Sequence, residues 1–252
     1  MCVFTRSATA VLAATIGFGG SALNSASGTV LTFNIQGAVD FQNFSDLYQA
    51  YGDRVGNPLF DMSFPQFSYG SGGGLTPNVQ VEYRPGLLFA SSQAPSARVY
   101  GDLQNVLYRQ FGGNNIIEVG MFADEGFQVD LFSFDLAAVL SENLPVRFVR
   151  VESASGQVLF QDPNPPGSGQ NIIPAVDAGG MPTRKTYDFV SLLGSPIRSQ
   201  GVRILVDTGQ IPTKVDRIGI DNIKFGQNPP IPAPGAAVLI ACGVLIAARR
   251  RR

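Results

Sequence analysis

The hydrophobic and polar positions of this chain alternate with a period of two over short stretches, and turn residues separate them. Phe127, Val129 and Leu131 fall on one face of an extended segment, with Gln128 and Asp130 on the other. Val146, Phe148, Val149 and Val151 continue the theme less strictly. Read in this way, the sequence predicts strands over residues 30–35, 79–83, 97–101, 115–123, 128–136, 146–152, 157–161, 186–190, 202–207 and 217–225. Short helical turns are expected at 45–51, where Leu47 and Tyr51 are four apart, and at 136–141. Many short strands with Gly- and Pro-rich turns predict an all-β antiparallel sandwich, two sheets burying their apolar faces against each other. Residues 68–78 are expected to form a glycine-rich loop, and 162–180 a long surface excursion with four prolines and four glycines.

The two ends break this pattern. Arg6 precedes an apolar stretch over residues 8–18, and small residues follow at Ser21, Ala22, Ser25, Ala26 and Ser27, the layout of a cleavable secretory signal. Cleavage after Ala26 or Ser27 is expected, and Cys2, ahead of the apolar run, does not sit as a lipoprotein cysteine would. At the other end, a proline-rich spacer over 227–235 leads into thirteen small or apolar residues, 236–248. The chain then finishes on Arg249, Arg250, Arg251 and Arg252. Thirteen helical residues give roughly 20 Å, short of the ~30 Å hydrocarbon core. The arginines would hold the cytoplasmic side. The segment is thus suited to transient membrane insertion rather than to permanent anchoring, with an ordinary tail anchor as the plainer alternative. The division expected is a signal peptide at 1–27, a β-sandwich ectodomain at 28–226, the spacer with its sorting motif at 227–235, and a hydrophobic helix with its arginine cluster at 236–252.

Removing both ends leaves 13 Lys and Arg against 19 Asp and Glu, a net charge of −6. An acidic domain of this kind speaks against nucleic-acid binding, which needs a basic face. Both cysteines, Cys2 and Cys242, leave with the targeting segments, so the exported domain can form no disulfide. The chain has no histidine, which excludes the Ser-His-Asp triad and histidine-ligated zinc. Carboxylate chemistry remains open, since a glycosidase needs two suitably spaced acids. Asp124 with Glu125, and Asp130 with Asp135, are the available clusters, although such acids are more often simply solvated.

Three further stretches offer chemistry. Gly72, Gly73 and Gly74 lack the Gly-Lys-Ser/Thr ending of a phosphate loop and read as a loop. Tyr51-Gly52-Asp53-Arg54-Val55 either clamps a turn or places Asp53 to ligate an ion. Asp216, Asp221 and Asn222 are hard oxygen donors suited to calcium. Asp221-Asn222 interrupts the apolar run of Ile218, Ile220, Ile223 and Phe225, which a bulge or a side-chain cap would equally explain.

The order Pro232, Pro234, Gly235, apolar helix and Arg249 to Arg252 resembles the PEP-CTERM sorting signals of exported bacterial surface proteins. Ala233 stands where the motif's glutamate would be, so the signal is a variant, Ile231-Pro232-Ala233-Pro234. Tyr51 to Val55, Thr76-Pro77-Asn78-Val79, Ser133-Phe134-Asp135-Leu136 and the stretch from Ile218 to Phe225 resemble PEP-CTERM proteins with a single jelly-roll, galactose-binding-like domain. The resemblance implies an exosortase-like membrane enzyme as processing partner, a place at the cell surface or in the extracellular matrix, and contact with exopolysaccharide. It implies no catalytic activity. Two functions are therefore expected in turn: a non-catalytic surface or matrix protein, and alternatively a secreted carboxylate-dependent polysaccharide hydrolase.

Overall fold

The computed structural model describes residues 28–33, 49–56, 60–61, 67–69, 74–84, 87–91, 100–103, 105–109, 116–139, 143–164, 171–208 and 218–228. The leader, the sorting motif with its helix, and Asp216 lie outside the described residues. So does the helical turn expected at 45–51, apart from its last residues, 49–51, which form a turn. In chain order the elements are β1 (Thr29–Leu31), β2 (Phe60–Asp61), β3 (Phe67–Ser68), β4 (Val79–Tyr83), β5 (Leu87–Ser91), β6 (Asn105–Arg109), β7 (Ile116–Ala123) and β8 (Gln128–Ala138). They continue as β9 (Leu144–Val146), β10 (Phe148–Ser153), β11 (Val158–Asp162), β12 (Asn171–Ile173), β13 (Lys185–Asp188), α1 (Phe189–Leu193), β14 (Ile197–Ser199), β15 (Gly201–Asp207) and β16 (Ile218–Asn228).

These strands build an antiparallel β-sandwich. One sheet runs β13-β8-β16-β6-β5, with β1 added beside β16 and β14 beside β8; the other runs β11-β10-β15-β7-β4. Several connections change sheets, as β4 to β5, β6 to β7, β7 to β8 and β15 to β16 do, which is the crossing pattern of a jelly roll. Alternation decides which face of each strand turns inward. In β4, Val79, Val81 and Tyr83 are buried while Gln80 and Glu82 are exposed. Ile117, Val119 and Met121 of β7 and Val202, Ile204 and Val206 of β15 join them in one core with Val129, Leu131, Phe134, Ile220 and Phe225 of the facing sheet.

Several boundaries differ from the sequence reading for identifiable reasons. The helical turn expected at 136–141 is strand as far as Ala138: Leu136 and Ala138 face the main core, while Ala137 and Val139 pack outside against Tyr100, Leu103 and Val106. Burial on both faces turns alternation into a continuous apolar run that resembles a helix. The strand expected at 186–190 stops at Asp188, whose carboxylate accepts from the Val190 and Ser191 amides and so caps α1, which Gly194 ends at φ +79°. The segment expected at 146–152 splits, because Val146 belongs to β9 and pairs with β12, whereas Phe148 opens β10. The excursion expected at 162–180 contains β12, whose Asn171 and Ile173 are buried. Finally, β16 runs through Gln227 and Asn228, taking the strand into the expected spacer.

Candidate functional site

The pentapeptide Tyr51 to Val55 is a clamped turn. Gly52 takes φ +92° and Arg54 φ +50°; Tyr83 donates to the Tyr51 carbonyl at 2.9 Å, and the Val81 amide donates to Asp53 Oδ1 at 2.6 Å. Arg54 grips Asp124 with both guanidinium ends, at 2.5 and 2.9 Å. Asp53 therefore serves β4. The Tyr51 ring stacks on Tyr69 at 5.4 Å, and its buried hydroxyl has no hydrogen-bond partner among the described residues.

Asp221 and Asn222 sit elsewhere, on the outer side of the seven-stranded sheet. The register of β16 against β8 shifts between Asp221 and Lys224, and Asn222 takes φ +50°, so a bulge accounts for the interruption noted in the sequence. Opposite Asp221 in the ladder lies Asp135, and both are nearly buried. Thr186 donates to Asp135 Oδ1 at 2.7 Å, Asn222 Nδ2 donates to Oδ2 at 2.8 Å, and Arg184 Nε lies 3.1 Å from Oδ2. Burial pushes the Asp221 carboxyl up to about 8, helped by the charge of Asp135 and opposed by the Asn222 amide and Arg184. Arg184 supplies the positive charge that a cation would bring. Asp53 does not join this network, and among the described residues no three acids converge on a point where they could enclose an ion.

The four acids singled out in the sequence are dispersed. Asp124 is held by Arg54, Asp130 by Arg198 at 2.5 and 3.1 Å with Asn228 also donating, and Asp135 by Arg184; Glu125 is exposed in a turn.

A concavity with charged walls belongs to residues that the sequence does not single out. Outward-facing positions of β4, β7 and β15, with Tyr83 at the end of β4 and Arg84 just past it, form an open groove of about 220 Å³ whose other walls are Glu82, Glu118, Gly120, Phe122 and Arg203. Strand register explains its shape. Glu82 and Arg203 are the two cross-strand partners of Gly120, and Gly201 is the partner of Phe122. A Cβ at Gly120 would come within 2.6 Å of Phe122 Cε2, and one at Gly201 within 2.6 Å of Cδ1. The phenyl ring thus rests on bare backbone, half-buried, beside a gap in the side-chain carpet. Arg84 Nη1 donates to Glu118 Oε2 at 2.9 Å, Arg203 Nε lies 4.0 Å from Oε1 of the same carboxylate, and the Arg203 guanidinium carbon is 5.6 Å from the Phe122 centroid.

The same face continues across β10. Arg150 lies 4.3 Å over the Phe148 ring and donates to Gln161 at 2.9 Å and to Glu152 at 3.0 Å. These side chains are legible in the sequence only as the outward positions of alternating strands. Their convergence depends on register, which a single sequence does not give.

No known family's sequence profile matches the chain, and no curated protein matches it. Among solved structures, the wild-type discoidin II of Dictyostelium discoideum is similar over 48% of this chain and 39% of its own, at 10% identity and a TM-score of 0.25. A likeness at that level bears on neither ligand nor activity.

Proposed function

We propose that the chain is an exported, non-catalytic surface or matrix protein that holds polysaccharide on the outer face of its five-stranded sheet. The observation that carries this reading is the groove: a partly exposed ring seated on Gly120 and Gly201, bordered by Glu82, by Arg203 and by the Arg84–Glu118 ion pair. Sugars combine apolar C–H faces with hydroxyls that both donate and accept, and this surface offers the complement of each. Preorganised polar groups lose little freedom on binding, which favours affinity. The leader-like and PEP-CTERM-like ends support export and processing by an exosortase-like enzyme, with contact to exopolysaccharide outside the membrane.

A second reading, a carboxylate-dependent polysaccharide hydrolase, draws on one observation, the opposed pair Asp135 and Asp221 with Asp221 retaining its proton near neutrality. The partners already occupying both Asp135 oxygens weigh against it. The two are separated by incubating the full-length protein with a polysaccharide panel while measuring both retention and reducing sugar. Retention without sugar release supports the binding reading; release that disappears in Asp135→Asn establishes the hydrolase instead.

A further inference from the structure

We infer that the polysaccharide held by this face is uncharged, an inference that rests on the binding reading above. Among the described residues the outward positions around the groove carry Arg84, Arg150 and Arg203 beside Glu82, Glu118 and Glu152, and farther along β15 Asp207 is held by Arg147. Glu152 pairs with Arg203 across β10 and β15, Arg203 with Gly120, and Gly120 with Glu82, so one cross-strand row reads acid, base, gap, acid. In the next row Arg84 donates to Glu118 at 2.9 Å, and on the far side Arg150 donates to Glu152 at 3.0 Å.

A carboxylate on an acidic sugar would meet guanidiniums whose charge Glu118 already balances, and would bring a further negative charge beside Glu118 and Glu82. A hydroxyl brings no charge. A guanidinium has five N–H donors and a carboxylate about four lone-pair sites, so each paired group keeps capacity for a hydroxyl that accepts from one and donates to the other. The charge of the exported domain points the same way, since 13 Lys and Arg against 19 Asp and Glu repel a polyanion at long range. The groove's 220 Å³ falls below the roughly 300 Å³ at which drug-sized pockets begin, so it takes a short portion of a chain whose remainder lies along the open sheet.

The test is retention of the full-length protein on immobilised dextran, β-glucan and galactomannan, compared with polygalacturonate, at about 0.01 M and about 1 M salt, between which the Debye length falls from about 30 to about 3 Å. The expected result is retention on an uncharged polymer, changed less than about twofold by salt, and none on polygalacturonate. Retention on polygalacturonate that falls tenfold or more at high salt overturns the inference and leaves the binding reading standing. Retention on none of the polymers, or retention undiminished in Phe122→Ala, overturns the binding reading and the inference with it. Glu118→Gln frees two guanidiniums without removing a ring or a strand contact. It should gain salt-sensitive retention on polygalacturonate, and a folded Glu118→Gln protein that gains none counts against the inference.

Discussion

Asp221 on β16 lies directly across the antiparallel ladder from Asp135 on β8, two nearly buried carboxylates in one partner pair. The two differ in what surrounds them. Asp135 takes the hydrogen bonds from Thr186 and Asn222 and the ion pair with Arg184, while Asp221 keeps its proton up to about pH 8.

That asymmetry makes stability depend on pH. The Asp221 carboxyl is raised from an ordinary 3.8 to about 8, so between those values the folded state binds more protons than the unfolded state. Stability therefore falls as pH rises through this window, by up to about 1.4 kcal/mol per pH unit from this group. Asp221→Asn, which keeps the shape of the neutral acid, should flatten the curve and be the more stable protein above pH 8. Urea midpoints from pH 5 to pH 9 check this, and parallel curves for the two proteins would refute it.

Two buried tyrosines should respond unequally to the loss of a hydroxyl. Tyr187 receives a hydrogen bond from Asn171 at 2.7 Å and donates to Asp162 at 2.9 Å, in a network that Lys185 completes at 2.9 Å to Asp162 and 2.6 Å to Asn171. Tyr187→Phe should cost about 1–3 kcal/mol by removing two hydrogen bonds from a part-buried network, although Asp162 keeps Lys185 and Asn171 keeps the Asp162 carbonyl. Tyr51→Phe removes a buried hydroxyl that, among the described residues, makes no hydrogen bond of good geometry and meets only the Thr32 and Phe33 backbone, and should cost less than about 1 kcal/mol. Thermal melts of the two variants decide the matter.

Asp53 holds the Val81 amide and so the start of the turn against β4. Asp53→Ala should cost about 1–3 kcal/mol, the penalty for an unmet buried donor. The loss should be the same in calcium and in chelator. A loss confined to calcium would instead make Asp53 an ion ligand.

Phe122 is partly buried on Gly120 and Gly201, so Phe122→Ala should lower the melting temperature somewhat, while the folded variant loses about tenfold in polysaccharide affinity, or about 1.4 kcal/mol. Gly120→Ala should lower affinity as well, because its Cβ would push the ring from its seat. Titration of both variants with the retained polysaccharide provides the check.

Replacing Arg249, Arg250, Arg251 and Arg252 with glutamine removes the charges expected to hold the cytoplasmic side of the tail. Processing of the tail should then slow or fail, as read by the size of the protein recovered outside the cell. Normal processing of this variant would speak against the sorting reading.

Alternation in single strands was enough to fix the fold class: Val79, Val81 and Tyr83 turn inward as their spacing requires, and so do Val129 and Leu131. The absence of histidine from the chain and of cysteine between Cys2 and Cys242 excluded whole chemistries from composition alone, and the order of residues at the two ends is what suggested targeting. The sequence also flagged Asp221-Asn222 as an interruption, because a polar pair within an apolar strand is a local signal. Which partners those residues meet is not local. Asp135 is 86 positions from Asp221, and Arg203 is 83 from Gly120; only the antiparallel register brings either pair together. Register depends on the packing of two whole sheets, and a slip of one residue would turn Glu118 and Arg203 into the core and Val119 and Ile204 out to solvent. The face proposed to bind polysaccharide was thus present in the sequence only as scattered outward positions, and tertiary structure alone made it a surface.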